Sequence, residues 1–193
     1  MRIHYRLMGA AALFAVVATP LSAQAQKGPP TAVVVSGPEP GAKAPDFRLP
    51  WATKDSIGSV ADDFVLRNAR GKTVVLAFYP ADFTSGCTAE LKAFTDRYDE
   101  LFGEGVEVVG ISTDSLETHR RFAASLGAPF KLLSDPSQRV ARTYGSKGDT
   151  NARRTVYVID PSGTITYRDM RFGALDPRAY DALQKAVREA RGG

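Results

Sequence analysis

Seven consecutive residues, Thr73-Val74-Val75-Leu76-Ala77-Phe78-Tyr79, carry no charge and only two hydroxyls. Successive side chains of a strand point to opposite faces of its sheet, so a run this apolar demands cover on both faces. A sheet with one wet face is therefore excluded, and the rest of the chain must supply the covering layers. Beyond the run, strand and helix signals alternate. Leu91, Phe94, Tyr98, Leu101 and Phe102 form one stripe at helical spacing, which predicts a single helix stopped by Gly103 and Gly105. Val106–Ile111 reads as a second strand. Asp114 followed by Glu117 predicts a capped helix through Leu126, closed by Gly127. Phe130–Leu133 is a short strand, and Asp135-Pro136 opens a brief helix with Asp as its cap. Val156–Ile159 and Ile165–Arg168 flank the turn sequence Asp160-Pro161-Ser162-Gly163 and predict a hairpin. Asp176-Pro177 starts a last helix with Tyr180, Leu183 and Val187 inward.

This order, β-α-β-α followed by β-β-α, is that of an α/β, thioredoxin-like fold: a central mixed β-sheet flanked by helices on both faces. At 193 residues, 44% of them hydrophobic, the chain suits one domain with a full core. Six of its twelve prolines lie between Pro29 and Pro50, a density that excludes helix or central strand. Residues 26–41 therefore read as a Pro-rich linker, and residues 42–193 as the domain. Residues 1–25 read as an export signal, with Arg2 and Arg6 followed by the apolar run Leu7–Ala18 and the small-x-small pattern Ala23-Gln24-Ala25. The run is too short to span a bilayer of roughly 30 Å as a helix. The expectation is an exported, periplasmic protein, with retention as an N-terminal anchor the alternative. The formal charge is +4, and outside the first 25 residues 23 basic residues meet 21 acidic ones. So even a balance does not suit a nucleic-acid partner. No cluster of His and carboxylates has metal-ligand spacing, no Gly-rich phosphate loop occurs, and no cofactor is implied.

The one cysteine, Cys87, excludes a disulfide framework. It lies where the buried strand gives way to a helix. At the first helical turn its sulfur would face unpaired backbone N–H groups and the positive end of the helix dipole. Both favour thiolate over thiol, and the thiolate is the nucleophile. A helix terminus contributes typically about 0.3–1 kcal/mol, up to about 2 kcal/mol when partly buried. Shifting the pKa by two units takes about 2.7 kcal/mol, so a further donor or cation is needed.

Phe78-Tyr79-Pro80-x-x-x-Thr84-x-x-Cys87 resembles the P-x-x-x-[TS]-x-x-C signature of the peroxiredoxins. Ala44-Pro45-Asp46-Phe47-x-Leu49-Pro50 is similar to that family's N-terminal segment. Gly110-Ile111-Ser112-x-Asp114-Ser115 and Phe130-x-Leu132-Leu133-Ser134-Asp135-Pro136 are similar to its middle section, and Arg154-x-x-Tyr157-Val158-Ile159-Asp160 to the strand bearing its active-site arginine. The run Gly86-Cys87-Thr88-x-Glu90 resembles the bacterioferritin-comigratory, or peroxiredoxin Q, branch. The resemblance implies a thiol-dependent peroxidase acting on hydrogen peroxide and alkyl hydroperoxides through a sulfenate. Cys87 would be the peroxidatic cysteine, Thr84 the peroxide-binding hydroxyl, Pro80 the shielding proline and Arg154 the activating cation.

The residue chemistry agrees with these roles. Displacement at a peroxide oxygen needs an anionic sulfur, a hydroxyl near it and a cation; a guanidinium is always charged and offers a fixed fork of donors. Arg153 and Arg154 are adjacent on a strand, so only one can face Cys87, and the resemblance selects Arg154. Two departures matter. The resolving cysteine that often follows by five residues is replaced by Lys92, so reduction must come from an external thiol or thioredoxin-like partner. Thr84-Ser85-Gly86-Cys87 also lacks the first thiol of a Cys-x-x-Cys motif, which disfavours dithiol exchange. An exported thiol redox sensor or binding module without turnover is the alternative function. Glu90 could pair with Arg154 or decorate the first helical turn. His119 is expected to be partly buried and structural. Trp51 and Phe83 could form an apolar collar or ordinary packing. A homodimer is compatible with the sequence.

Overall fold

In the computed structural model, described here for Met1 and residues 36–192, the apolar run is the centre of a six-stranded sheet. The strands are β1 (Arg48–Leu49), β2 (Trp51–Ala52), β3 (Phe64–Val65), β4 (Thr73–Phe78), β5 (Val106–Ser112), β6 (Lys131–Ser134), β7 (Thr155–Ile159) and β8 (Ile165–Asp169). The helices are α1 (Ser85–Asp96), α2 (Tyr98–Leu101), α3 (Leu116–Leu126), α4 (Arg139–Thr143) and α5 (Pro177–Arg191). The large sheet has the order β2-β6-β5-β4-β7-β8, and β1 pairs with β3 in a separate ribbon. Strands β4, β5 and β6 run parallel, while β2, β7 and β8 are antiparallel to their neighbours, so the sheet is mixed.

Every residue of β4 is buried, and its period-two alternation builds two cores. Val75, Ala77 and Tyr79 pack with Leu91, Phe94, Phe122, Leu183 and Val187 under α1, α3 and α5. Val74, Leu76 and Phe78 pack on the other face with Leu49 and Phe64 from the small ribbon, Val140 of α4, Tyr144 just after it and Tyr157 of the neighbouring β7. Helices thus cover both faces, as the sequence predicts.

The differences from expectation have local causes. The single helix predicted after the loop is two. Arg97 leaves helical geometry (φ −112°, ψ 24°), and its guanidinium binds Glu100 three residues on. The apolar stripe runs through the break because both pieces face one core. The cap of α3 is Ser115, whose hydroxyl accepts from the Thr118 N–H; Asp114 is turned back toward the loop before α1. Asp135 does not start α4 directly. The chain first makes a turn to Gln138 in the left-handed region (φ 51°), and Asp135 accepts from the N–H groups of Arg139 and Ala141 across it. Strands β1, β2 and β3, two residues each, carry no periodic signal and were not expected. Residues 36–41, expected as linker, hydrogen-bond to β8: the Arg168 guanidinium donates to the Ser36 and Pro38 carbonyls, and the Gly41 N–H to Ile165. The export-signal reading of residues 1–25 lies outside the described residues. Among those described, no helix is long and apolar enough to cross a membrane.

Candidate active site

Strand β4 ends at Phe78, and Tyr79-Pro80-Ala81-Asp82-Phe83-Thr84 carries the chain to α1. This loop is pinned from beneath. Asp82 is buried; its carboxylate accepts from the Tyr79 hydroxyl at 2.7 Å and lies 2.8 Å from His119 Nδ1. Its N–H donates to Asp114 at 2.9 Å, and Asp114 also accepts from the Ser112 hydroxyl. His119 Nε2 lies 3.2 Å from the Leu133 carbonyl, which can only accept, so that nitrogen carries a proton. His119 is therefore wholly buried, not partly, and it ties the loop to α3 and β6. Burial, then Asp82, push the Tyr79 phenol well above its usual range, which keeps it a donor.

Phe83 sits in the left-handed region at φ 59°, a conformation that costs a non-glycine residue roughly 1–2 kcal/mol. Its ring packs on Phe122 with centroids 4.9 Å apart, which offsets that strain while leaving the side chain half exposed. Trp51 lies on the opposite core, with its indole donating to the Asp62 carbonyl at 2.5 Å. The two do not form one collar.

Thr84 is the N-cap of α1 and Cys87 the third residue of its first turn. The Thr84 hydroxyl donates to the Ala81 carbonyl at 2.9 Å, so what it offers toward a ligand is its lone pairs. No hydrogen bond joins it to the sulfur. Pro80 is partly buried at the start of the loop. The sulfur of Cys87 is fully buried and accepts from Arg154 Nη2 at 3.3 Å. Arg154 arrives from just before β7, and Gly86 makes room for it: a Cβ there would lie 3.2 Å from Nη2. Arg153, its neighbour, is exposed.

Glu90, one turn along α1 from Cys87, closes the group. Its side chain is fully buried and pairs through Oε2 with Arg154 Nη1, while Oε1 has no partner among the described residues. Burial raises the Glu90 carboxyl from its ordinary 4.5 to about 7, with Arg154 acting against that shift. Burial works against the Arg154 charge too, but Glu90 and then Cys87 outweigh it and hold the guanidinium above its ordinary value. Sulfur, permanent cation and buried carboxyl thus form one contiguous group. Of the four expected site residues, the structure brings Cys87 and Arg154 into contact and leaves Thr84 and Pro80 on the loop leading to them. Asp82 and Asp114, which support this loop, were missed because the network draws on three separate elements and leaves no periodic trace.

The AhpC/TSA family pattern matches residues 40–168. The chain is 39% identical over 140 residues to the chloroplastic peroxiredoxin Q of Triticum aestivum, covering 71% of this chain and 61% of that protein; it spans about three-fifths of that relative's length. The solved peroxidoxin BcpB of Mycobacterium tuberculosis superposes with a TM-score of 0.68 at 29% identity, covering 79% of this chain and 98% of that one. The bacterioferritin comigratory protein of Xanthomonas campestris does so with a TM-score of 0.62 at 25% identity, covering 74% and 92% respectively. Together with a single buried thiol held by an arginine at the first turn of a helix, these likenesses show that the chain belongs to the AhpC/TSA family, as a peroxiredoxin of the Q or bacterioferritin-comigratory kind with one cysteine.

Proposed function

We propose that this chain is a thiol-dependent peroxidase acting on hydrogen peroxide and alkyl hydroperoxides. The observation that carries the reading is the 3.3 Å contact between Arg154 Nη2 and the Cys87 sulfur at the N-terminal turn of α1. The anionic sulfur attacks the terminal peroxide oxygen along the O–O axis. The S–O bond forms as the O–O bond breaks, and the departing alkoxide takes a proton to leave as alcohol or water, with Cys87 as sulfenate. Charge shifts from sulfur to the leaving oxygen in this step. The Arg154 fork and the free N–H groups of the first turn of α1 are fixed donors for it, and need no reorganisation as the charge moves. The Thr84 oxygen accepts the hydroperoxide O–H, its own proton being held by Ala81. Pro80 excludes water from the loop side. The Xanthomonas campestris neighbour is described for its alkyl peroxide reduction activity, which supports this substrate class.

With one cysteine, the sulfenate is reduced by an external thiol or a thioredoxin-like protein. The order of charged, apolar and small residues over 1–25 supports export to the periplasm, which N-terminal sequencing of the protein from fractionated cells would check. The deciding assay is peroxide consumption with a supplied thiol, alongside Cys87→Ser. Many turnovers per chain, lost in the variant, are expected. One stoichiometric oxidation followed by arrest would make the chain a sensor.

A further inference from the structure

We propose that the open cavity beside Arg154 is the docking site of the reductant, and that this reductant is a small thiol carrying carboxylates. The inference rests on the peroxidase reading above and names the partner of its second half-reaction.

The cavity has a volume of about 800 Å³ and is lined by Gly145, Arg153, Arg154, Met170, Arg171 and Phe172. Three of the six are arginines and none is acidic. Arg154 is common to the cavity and to the sulfur, so a molecule in the cavity is one guanidinium away from Cys87. The segments are held side by side by the backbone bond from the Phe172 N–H to the Arg154 carbonyl at 3.3 Å. Asp169, the nearest acid in sequence, is turned toward the backbone N–H of Arg171 rather than toward a guanidinium. Neither Arg153 nor Arg171 has an acidic side-chain partner among the described residues, and both are exposed. The Arg154 charge is held on its inner side by Glu90.

Size and charge choose the occupant. Sites for small organic molecules run to roughly 300–1,000 Å³, whereas a hydrogen peroxide needs little more space than a water. The cavity is thus too large for the smallest oxidant and suits a molecule of several tens of atoms. Two solvent-facing guanidiniums each offer a fork that matches a carboxylate, and Met170 and Phe172 give an apolar floor for its carbon chain. Cys87 does not line the cavity, and a thiol held there by the arginines reaches the sulfur when the first turn of α1 yields. Cys87 sulfenate and the thiol R–SH form Cys87–S–S–R, the S–O bond breaking and the hydroxyl leaving with the thiol proton as water. A second R–SH attacks the R sulfur, giving R–S–S–R and the Cys87 thiol. Oxidant enters as hydroperoxide, and two thiols supply the two electrons.

The test is stopped-flow reduction of preformed Cys87 sulfenate in the full chain. It uses mercaptosuccinate, which carries two carboxylates, and 2-mercaptoethanol, which carries none. The reading is the ratio of the two rates, corrected for thiolate fraction. Exposed charge pairs are worth about 0.2–1 kcal/mol each, so two of them should favour the dianionic thiol by roughly two- to thirtyfold at low salt. The ratio should fall toward one in 0.5 M salt, and in the double variant Arg153→Ser/Arg171→Ser. It should be largely kept in Arg153→Lys/Arg171→Lys, which retains charge. The matching arm measures Cys87 oxidation by a carboxylate-bearing hydroperoxide against a neutral one. A ratio near one for the thiols in the parent chain overturns the proposal. So does a charge preference confined to the hydroperoxide arm, which would assign the cavity to the oxidising substrate. Absence of any Cys87 oxidation would instead overturn the peroxidase reading on which the proposal stands.

Discussion

Arg154 serves the sulfur on one side and a buried carboxylate on the other, and these two demands are separable by substitution. Arg154→Met keeps an unbranched apolar stem and removes charge and donors from the sulfur. Loss of one fixed donor at a charge-shifting centre costs on the order of a hundredfold. The second-order rate of Cys87 oxidation should therefore fall by about that factor, read from the competition of the variant with a catalase for peroxide. Arg154→Lys should recover only part of it, because a point charge cannot reach sulfur and Glu90 at once as a fork does. Glu90 carries a second, independent prediction. Its carboxyl is raised from 4.5 to about 7 by burial, so between these pH values the folded chain holds a proton that the unfolded chain has released. Stability from this group is complete below about 4.5 and is lost as pH rises through 7. The linkage amounts to on the order of 3 kcal/mol. Urea titrations of Glu90→Gln between pH 5 and 8 should lack this decline, and a parent curve that stays flat over the range would show the carboxyl to be an ordinary one.

At the level of elements, the loop from β4 into α1 depends on the start of α3, and two neighbouring residues there do different work. Ser115 caps α3, while Asp114 holds the Asp82 N–H and the Ser112 hydroxyl. Ser115→Ala should cost about 1 kcal/mol of stability by loss of the cap and leave the rate of Cys87 oxidation within twofold. Asp114→Ala frees the loop and should slow that oxidation roughly tenfold or more, by the sensitivity of positioned reactions to small displacements. Chemical denaturation and stopped-flow oxidation of the pair distinguish the roles; equal loss of rate in both would mean that α3 as a whole, not Asp114, supports the loop. The sequence points to Asp114 as the cap because both residues are good cap types, and only the third dimension shows which one is drawn away. The same limit explains the other differences. β4, β5 and α5 were legible because their apolar periods run for several residues against one core. The two-residue pairings of β1, β2 and β3 and the break at Arg97 rest on contacts with distant segments. At the site, Cys87 and Arg154 were legible through their resemblance to family motifs. The pairing of Glu90 with Arg154 leaves no local signal in the sequence, because 64 residues separate the two.

Over the whole molecule, the two-sided sheet that makes the fold legible also encloses the reactive sulfur. Cys87 belongs to the core between β4 and the helices, with no exposed surface of its own, and it is the one cysteine of the chain. After the first peroxide is cleaved, its sulfenate has no internal thiol to condense with, and α1 must yield locally before a bulky thiol reaches the sulfur. Small peroxide suffers less from that enclosure than any thiol does. When thiol is scarce, the sulfenate therefore meets a second peroxide first and moves up the oxidation ladder to sulfinate, which thiols do not reverse. Exposure to excess peroxide without thiol should abolish activity and add the mass of two oxygens at Cys87. Adding thiol before the peroxide should protect activity in proportion to its concentration. The monomer should show no intramolecular disulfide at any stage, and mixed disulfides with the added thiol should appear as transient adducts at Cys87. Lys92→Cys places a thiol five residues further along α1, four of whose side chains face the core. If the first turn opens, that thiol should trap the sulfenate as a disulfide and reduce sulfinate formation. Full activity after prolonged exposure to peroxide alone, with Cys87 unmodified by mass, would show that the single-cysteine cycle is wrong.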